Sequence, residues 1–128
     1  MNDELKSKIL SASEWLTFND LSKQLNKDIN QVMHLVEQWV NENSLFVIEH
    51  NQDILIPAYA LDASGRPNPA IKNALTIFKG KKSAWVIAAW FASINGWLGG
   101  ITPIDAISSN PDGITNAAMA EIAAAEHA

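Results

Sequence analysis

The chain has 128 residues, of which 48% are hydrophobic and 18% are charged. This length fits one compact unit, or two small units that share a core, and the composition excludes a disordered tail. The chain contains no cysteine, which excludes disulfides and thiolate metal sites. Its N-terminal residues are acidic and include no apolar run, so we expect a cytoplasmic protein without a secretory signal.

The formal net charge of −5 belongs to the first half of the chain. Residues 1–60 hold nine acidic side chains and four lysines, whereas residues 61–128 hold five acidic and five basic side chains. An acidic surface repels the phosphate backbone of nucleic acids, from which most of their affinity for proteins comes. The balance of charge therefore disfavours nucleic-acid binding through the first half.

Three helices and a hairpin are predicted in residues 1–60. The first helix covers residues 4–12, Thr17 and Asp20 form a capping-box pattern for the second, and Asp28 and Gln31 do so for the third. Apolar residues three and four positions apart form one apolar face on the third predicted helix: Ile29, Val32, Met33, Val36, Trp39 and Val40. Two β-rich runs, 45–48 and 54–56, predict a hairpin separated by the polar residues 49–53. This order is typical of a winged helix-turn-helix.

A loop over residues 62–67 predicts the boundary between this unit and a helical second half, residues 61–128. Asn68 and Pro69 are typical of a helix start, and that helix is expected to run to Lys79 and end at Gly80. A tryptophan-rich helix follows and is expected to reach Asn95-Gly96, where the glycine would close it. The sequence therefore predicts a mainly α protein with one small β-hairpin.

The segment after the tryptophan helix predicts a rigid apolar corner. Gly99-Gly100 permits a tight turn, Thr102 can cap the next helix, and Pro103 suits its first position. Asp105 lies where a carboxylate favours the positive end of that helix. Asn110-Pro111 repeats the start signal for a final alanine-rich helix, whose small residues suit packing inside the chain, against a dimer mate or in a partner's cleft.

This segment resembles the signature of the Xre/MbcA/ParS-type antitoxin toxin-binding domain. The family carries a tryptophan helix, an asparagine, a leucine-glycine-glycine turn and then threonine-proline before a short helix, and the resemblance covers roughly residues 56–128. It implies an antitoxin-like protein that binds a cognate toxin, for example a RES-type enzyme that consumes NAD, and that regulates its own transcription. The candidate partner-binding residues are Trp90, Asn95, Trp97, Leu98, Gly99, Gly100, Thr102, Pro103 and Asp105.

DNA binding is the second hypothesis, because the exposed face of the third predicted helix carries side chains that can read base edges. The candidate DNA-binding residues are Lys23, Lys27, Asn30, Gln31 and His34. That helix contains no lysine or arginine for phosphate contacts, which departs from the usual basic footprint. A transcription regulator, or an adaptor that only dimerises, is therefore an alternative to the antitoxin, and we expect a homodimer in either case.

The remaining chemistry is sparse. His34 and Glu37 are two metal-ligand types on one helix face without a third ligand, and no serine or threonine has a neighbouring base. We therefore expect neither an enzyme nor a bound cofactor or metal. Residues 83–104 carry no charge over a length that can cross a bilayer, but Asn95, three glycines and Pro103 interrupt the run. A buried core helix is the better interpretation, and no membrane partner is expected.

Overall fold

The computed structural model describes residues 1–127, which form seven α-helices and a three-stranded antiparallel sheet. In the first half these elements are α1 (Asp3–Ser11), β1 (Trp15–Leu16), α2 (Phe18–Leu25), α3 (Ile29–Asn41), β2 (Ile48–His50) and β3 (Asp53–Pro57). In the second half they are α4 (Pro69–Phe78), α5 (Ala84–Phe91), α6 (Pro103–Ser109) and α7 (Pro111–Glu126). Short 3-10 turns lie at Ala58–Ala60 and Gly96–Leu98. The mainly helical architecture is therefore as expected.

The helix starts follow from their caps. Both expected capping boxes are formed, by Thr17 with Asp20 at α2 and by Asp28 with Gln31 at α3. In each box, the side chain of each residue accepts a hydrogen bond from the backbone N–H of the other residue. Two backbone donors that would otherwise lack a partner are thus satisfied, and the first helical turn is fixed. Asn26 takes a left-handed conformation at φ 53° and ends α2, so that α3 leaves in a new direction.

The sheet differs from the prediction in three ways. The first strand of the hairpin begins at Ile48 and not at Leu45, so residues 45–47 lie outside it. Strand β1 was not expected, yet it pairs with β3, and the strand order is β1-β3-β2. The hairpin between β2 and β3 turns on Asn51 and Gln52 alone, both at positive φ (51° and 70°), so residues 49, 50 and 53 belong to strands and not to the loop. A two-residue turn of this conformation matches the twist of the paired strands. The strands therefore continue up to the turn, and most of the polar residues 49–53 are extended.

The predicted apolar face of α3 is buried along its centre. Val32, Val36 and Trp39 lie in the core, whereas Ile29 is 40% exposed and Met33 46% exposed. Positions 29 and 33 lie four apart on the margin of the apolar stripe, beside the polar face of the helix. The apolar face that the sequence predicts is therefore wider than the face that packs into the core.

The tryptophan helix is shorter than expected. It ends at Phe91 with Ala92 as its cap, and the Ser93 hydroxyl donates to the carbonyl oxygen of Ala89 at 2.7 Å. Asn95 is already extended (φ −126°), and Gly96 begins a 3-10 turn and is not among the residues with positive φ. The expectation that Gly96 closes the helix is therefore wrong, because the chain leaves the helix four residues earlier to form the corner.

A single core joins the two halves of the chain. The ring of Phe91 on α5 stacks on Phe46, with centroids 6.0 Å apart, and lies 5.4 Å from the ring of Tyr59. The Trp85 indole N–H donates to the backbone oxygen of Glu49 in β2 at 3.2 Å. The division at residue 60 therefore separates two stretches of sequence that pack against each other.

The apolar run of residues 83–104 is divided among α5, the 3-10 turn and the start of α6. Among residues 1–127, no helix has the length and apolar character that crossing a bilayer requires.

Candidate functional site

The corner between α5 and α6 is closed by hydrogen bonds to Asn95. Its backbone N–H donates to the carbonyl oxygen of Ile101 at 2.9 Å, and its own carbonyl oxygen accepts from Gly100 at 3.0 Å and from Leu98 at 3.1 Å. The Asn95 side chain accepts from the backbone N–H of Trp97 at 2.9 Å. The backbone bonds of Asn95 close the loop, and its side chain fixes the first turn within it. Asparagine suits this position because its short side chain can accept from the backbone N–H two residues further on.

Gly99 and Gly100 complete the corner at φ 74° and 86°. These left-handed conformations cost an L-residue energy because its Cβ approaches the following carbonyl oxygen. The Thr102 hydroxyl oxygen then accepts from the backbone N–H of Asp105 at 3.2 Å and caps α6, with Pro103 at the first helical position. The predicted glycine turn and the predicted start of α6 are confirmed.

The corner exposes large apolar side chains. Ile94 is 77% exposed and Trp97 72% exposed, and Ile101 is also exposed. Single exposed apolar residues are common, but three within eight positions on a hydrogen-bonded loop form a patch. We call Ile94, Trp97, Gly99, Gly100 and Ile101 the corner surface.

The other candidate partner-binding residues have different positions. Trp90, Leu98 and Pro103 are buried, with the Trp90 ring 4.9 Å from that of Phe78. These three side chains hold the corner from beneath and offer no surface to a partner. Asn95 and Thr102 are half-buried and occupied in the hydrogen bonds of the loop and the cap, whereas Asp105 is exposed.

A groove lies beside the corner, with α7 as its floor. Its volume is about 900 Å³, and Trp97 and Met119, which is 57% exposed, both line it. The full lining is Trp97, Asn110, Asp112, Gly113, Asn116, Met119, Ala120, Ala123 and Ala124. We call this the α7 groove. The sequence analysis did not single out Met119. Its helical position could have indicated exposure, because it does not share the face of α7 that Ile114, Ala117 and Ala118 bury.

Two carboxylates of α7 already have partners within the chain. Glu126 pairs with Lys81 at 2.6 Å, and Glu121 pairs with Lys82 at 3.1 Å. Both lysines belong to the connection between α4 and α5, so the pairs fasten the C-terminal part of α7 to the rest of the second half. Because all four groups are partly exposed, each pair contributes little to stability.

The candidate DNA-binding side chains belong to α2, α3 and the turn between them. Lys23, Lys27, Asn30, Gln31 and His34 are all exposed. The carbonyl oxygen of the Gln31 side chain, however, accepts from the backbone N–H of Asp28 at 3.3 Å. Gln31 is therefore occupied in capping α3, which leaves Asn30 and His34 as the side chains free to meet base edges.

Metal-ligand types and side chains with shifted pKa values are the remaining groups with possible chemistry among residues 1–127. No three histidines, cysteines or carboxylates come together there as metal ligands. Burial raises the pKa of the Tyr59 hydroxyl, which keeps this group protonated. Hydrogen bonds from Ser64 and Arg66 lower the pKa of Asp62, but this carboxylate orders the exposed loop between the halves.

Comparison with known proteins gives one solved structure of similar fold. The NMR structure of Rv2175c matches with a TM-score of 0.65 at 17% sequence identity, over 84% of this chain and 80% of that chain. A likeness at this identity shows the fold alone. No protein-family model matches the chain, and no curated protein matches it. The resemblance to the Xre/MbcA/ParS-type toxin-binding domain therefore stays a prediction.

Proposed function

We propose that the protein is an antitoxin-like binding protein that captures a protein toxin through the corner surface. The observation that carries the proposal is the exposure of Trp97 and Ile94 on a loop closed by three hydrogen bonds to the backbone of Asn95. Tryptophan is enriched among the residues that dominate binding energy, and a preordered loop loses little entropy when it binds. A RES-type enzyme that consumes NAD is one candidate toxin, on the resemblance described above.

Charge supports the choice of this surface. The second half balances five acidic against five basic side chains, and two of the carboxylates pair with lysines of the same half. A patch without strong net charge accepts apolar contacts at a small desolvation cost. The corner surface is therefore suited to a protein partner.

The test is capture of partners by the tagged protein in its native host, followed by mass spectrometry. We expect a small toxic enzyme in a fixed ratio, encoded beside the gene of this protein. The variant Ile94→Asp should lower capture at least roughly tenfold, because it places a charge in the contact. The matched control Leu5→Asp changes an exposed apolar residue of α1 and should leave capture unchanged.

Two results would reject this proposal. One is recovery of the protein alone from cells that express the neighbouring toxin. The other is equal capture by wild type and by a folded Ile94→Asp variant, which would move the contact away from the corner.

A second candidate function is transcription regulation through the first half. We propose that α1, β1, α2, α3 and the β2–β3 hairpin form a winged helix-turn-helix unit, in which α3 enters the major groove of DNA. The arrangement of these elements and the fold likeness to Rv2175c support this proposal. The exposed Asn30 and His34 would then meet base edges, and Lys23 and Lys27 the phosphates.

The salt dependence of DNA binding tests this candidate. Two lysines per chain predict few phosphate contacts, so log K should fall with log[salt] at a slope of about −2 per chain. Fluorescence anisotropy with the DNA upstream of the gene measures this slope. The double variant Lys23→Ala/Lys27→Ala should flatten it, and affinity that does not respond to either salt or this variant would reject DNA binding by this surface.

A further inference from the structure

Asn95 is followed by Gly96, and this pair is the single Asn-Gly sequence in the chain. In such a pair the backbone nitrogen of the glycine can attack the side-chain amide of the asparagine, because glycine has no Cβ to hinder the approach. Gly96 is exposed, and nothing lies within 4 Å of the position that a Cβ would take there. Its backbone N–H has no hydrogen-bond partner among residues 1–127. Solvent therefore reaches the attacking nitrogen, and no other bond occupies it.

The conformation of the corner nevertheless keeps the reacting atoms apart. Asn95 is extended, with φ −126° and ψ 121°. In an extended residue the next backbone nitrogen lies beside the α-hydrogen, whereas attack on the side chain requires that nitrogen beside Cβ. The backbone of Asn95 thus has to rotate about ψ before the Gly96 nitrogen can reach Cγ of Asn95.

That rotation breaks the hydrogen bonds that close the loop. The carbonyl oxygen of Asn95 turns with ψ, and it accepts from Gly100 at 3.0 Å and from Leu98 at 3.1 Å. The Asn95 side chain is also held, because it accepts from the backbone N–H of Trp97 at 2.9 Å. The attack is therefore confined to a locally opened form of the corner, which is sparsely populated.

We propose that Asn95 is a site of spontaneous deamidation and that opening of the corner controls its rate. The Gly96 nitrogen gives its proton to solvent and forms a bond to Cγ of Asn95. The bond between Cγ and Nδ2 breaks, and this nitrogen takes up a proton and leaves as ammonia. Water then opens the five-membered imide at one of its two carbonyl groups, which yields aspartate or isoaspartate at position 95.

The two products change the corner in different ways. Aspartate keeps an oxygen that accepts from Trp97 but places a negative charge next to Ile94 and Trp97, two exposed apolar side chains. Isoaspartate adds a methylene group to the main chain, so the N–H and the carbonyl group of position 95 lose the spacing that their bonds to Ile101 and Gly100 require. Deamidation therefore alters the corner surface irreversibly.

The reaction is independent of the proposed function, because the purified chain alone undergoes it. A partner on the corner surface would hold the loop closed and slow the conversion further, and this effect alone rests on the proposed function.

Incubation of the full chain at physiological temperature and neutral pH, followed by peptide mapping, provides the test. Mass spectrometry detects the exchange of the amide for a carboxyl group, and chromatography separates the two products. We expect conversion at Asn95 to be at least roughly tenfold slower in the folded chain than in the chain unfolded in urea, because the folded chain reacts through its rare open form.

Two glycine variants separate the chemistry from the opening. Gly96→Ala places a Cβ beside the attacking nitrogen and should slow conversion in both the folded and the unfolded chain. Gly99→Ala strains the closed corner at φ 74° and should speed conversion in the folded chain alone, by roughly fivefold or more. The matched control is Gly80→Ala, which has a similar φ of 73° and equal space but lies after α4, outside the corner, and should leave the rate at Asn95 unchanged.

Circular dichroism at the incubation temperature checks that each variant is folded. Equal rates in the folded and the unfolded chain overturn the control by the corner, and so does a rate that Gly99→Ala raises no more than Gly80→Ala. An unfolded chain that does not convert at Asn95, or whose conversion Gly96→Ala does not slow, overturns the site itself.

Discussion

The two halves of the chain present different exposed surfaces above one shared core. In the first half, the outer side of α2 and α3 carries polar side chains in an acidic setting, with two lysines beside them. In the second half, charges are balanced and the exposed features are large apolar side chains at the corner and along α7. This difference is the basis of both proposals, in which the second half captures a protein and the first half makes few contacts with DNA phosphates.

The largest expected effect comes from removing a side chain at the contact between the two halves. Phe91 is fully buried between Phe46, Tyr59 and Trp90, so Phe91→Ala should cost about 3–5 kcal/mol in the free energy of unfolding. Because the core is shared, the whole chain should still unfold in one transition. Urea denaturation, monitored by circular dichroism and by tryptophan fluorescence, measures the free energy of unfolding and shows whether the two probes report one transition.

The control for this variant is Val86→Ala, at a 40% exposed position of the same helix, with an expected cost well below that of Phe91→Ala. Separate transitions for the two probes in wild type would show that the halves are independent units. That result would contradict a single cooperative core and support the division at residue 60.

A smaller effect is expected at the corner, where two glycines differ in backbone conformation. Gly99 has φ 74°, so Gly99→Ala should cost about 1–2 kcal/mol through the left-handed backbone alone, since nothing lies within 4 Å of the added Cβ. Gly96 has equal space and is not among the residues with positive φ, so Gly96→Ala should be close to neutral. Thermal denaturation of both variants measures the difference, and equal costs would contradict a strained turn.

The contact between Trp85 and the hairpin contributes less. Trp85→Phe keeps an aromatic ring near Lys6 and His50 but removes the hydrogen bond to Glu49, so we expect a loss of about 1 kcal/mol. Amide hydrogen exchange should become faster in β2 and β3 while α7 is unaffected. Unchanged exchange in the hairpin would show that the bond does not hold it.

The smallest effect concerns pH and lies in the acidic half. The hydrogen bond from the Thr17 backbone, with N and Oδ2 2.9 Å apart, lowers the pKa of Asp20 below its ordinary value of 3.8, and the Thr17 side chain and Lys23 lower it further. Since the pKa is lower in the folded than in the unfolded chain, this contribution is present above pH 3.8 and is lost as the pH falls through the folded pKa.

Wild type should therefore be more stable than Asp20→Asn at neutral pH. The difference between their free energies of unfolding, here called the gap, should narrow below about pH 4. Urea denaturation between pH 7 and pH 2.5 measures the gap. The control is Glu37→Gln on the exposed side of α3, and a gap for Asp20→Asn that stays constant down to pH 2.5 would contradict the role of the carboxylate in the cap.

Local signals predicted the helix starts well because a cap depends on residues within one turn of each other. Thr17 with Asp20, Asp28 with Gln31, and Thr102 before Pro103 all form as their spacing indicates. The glycine turn was predictable for the same reason, since a positive φ at Gly99 and Gly100 is a local requirement.

Features that depend on distant contacts were not predictable in this way. Strand β1 is only two residues long and exists because β3 pairs with it. The exposure of Met33 and Met119 depends on which neighbouring helices cover them, and a helical period alone does not contain that information. The candidate residues Trp90 and Leu98 are buried for the same reason: the sequence marks them as apolar, but the tertiary packing decides between core and surface.

Helix α5 connects two sites that lie apart on the surface. Its first turn carries Trp85, which is bonded to the hairpin, and four residues after its end Asn95 begins the corner loop. The base of the corner and the outer edge of the hairpin therefore share one element of eight residues. A substitution inside α5 that changes its packing disturbs the supports of both surfaces at once, so variants that probe one surface are best placed outside this helix.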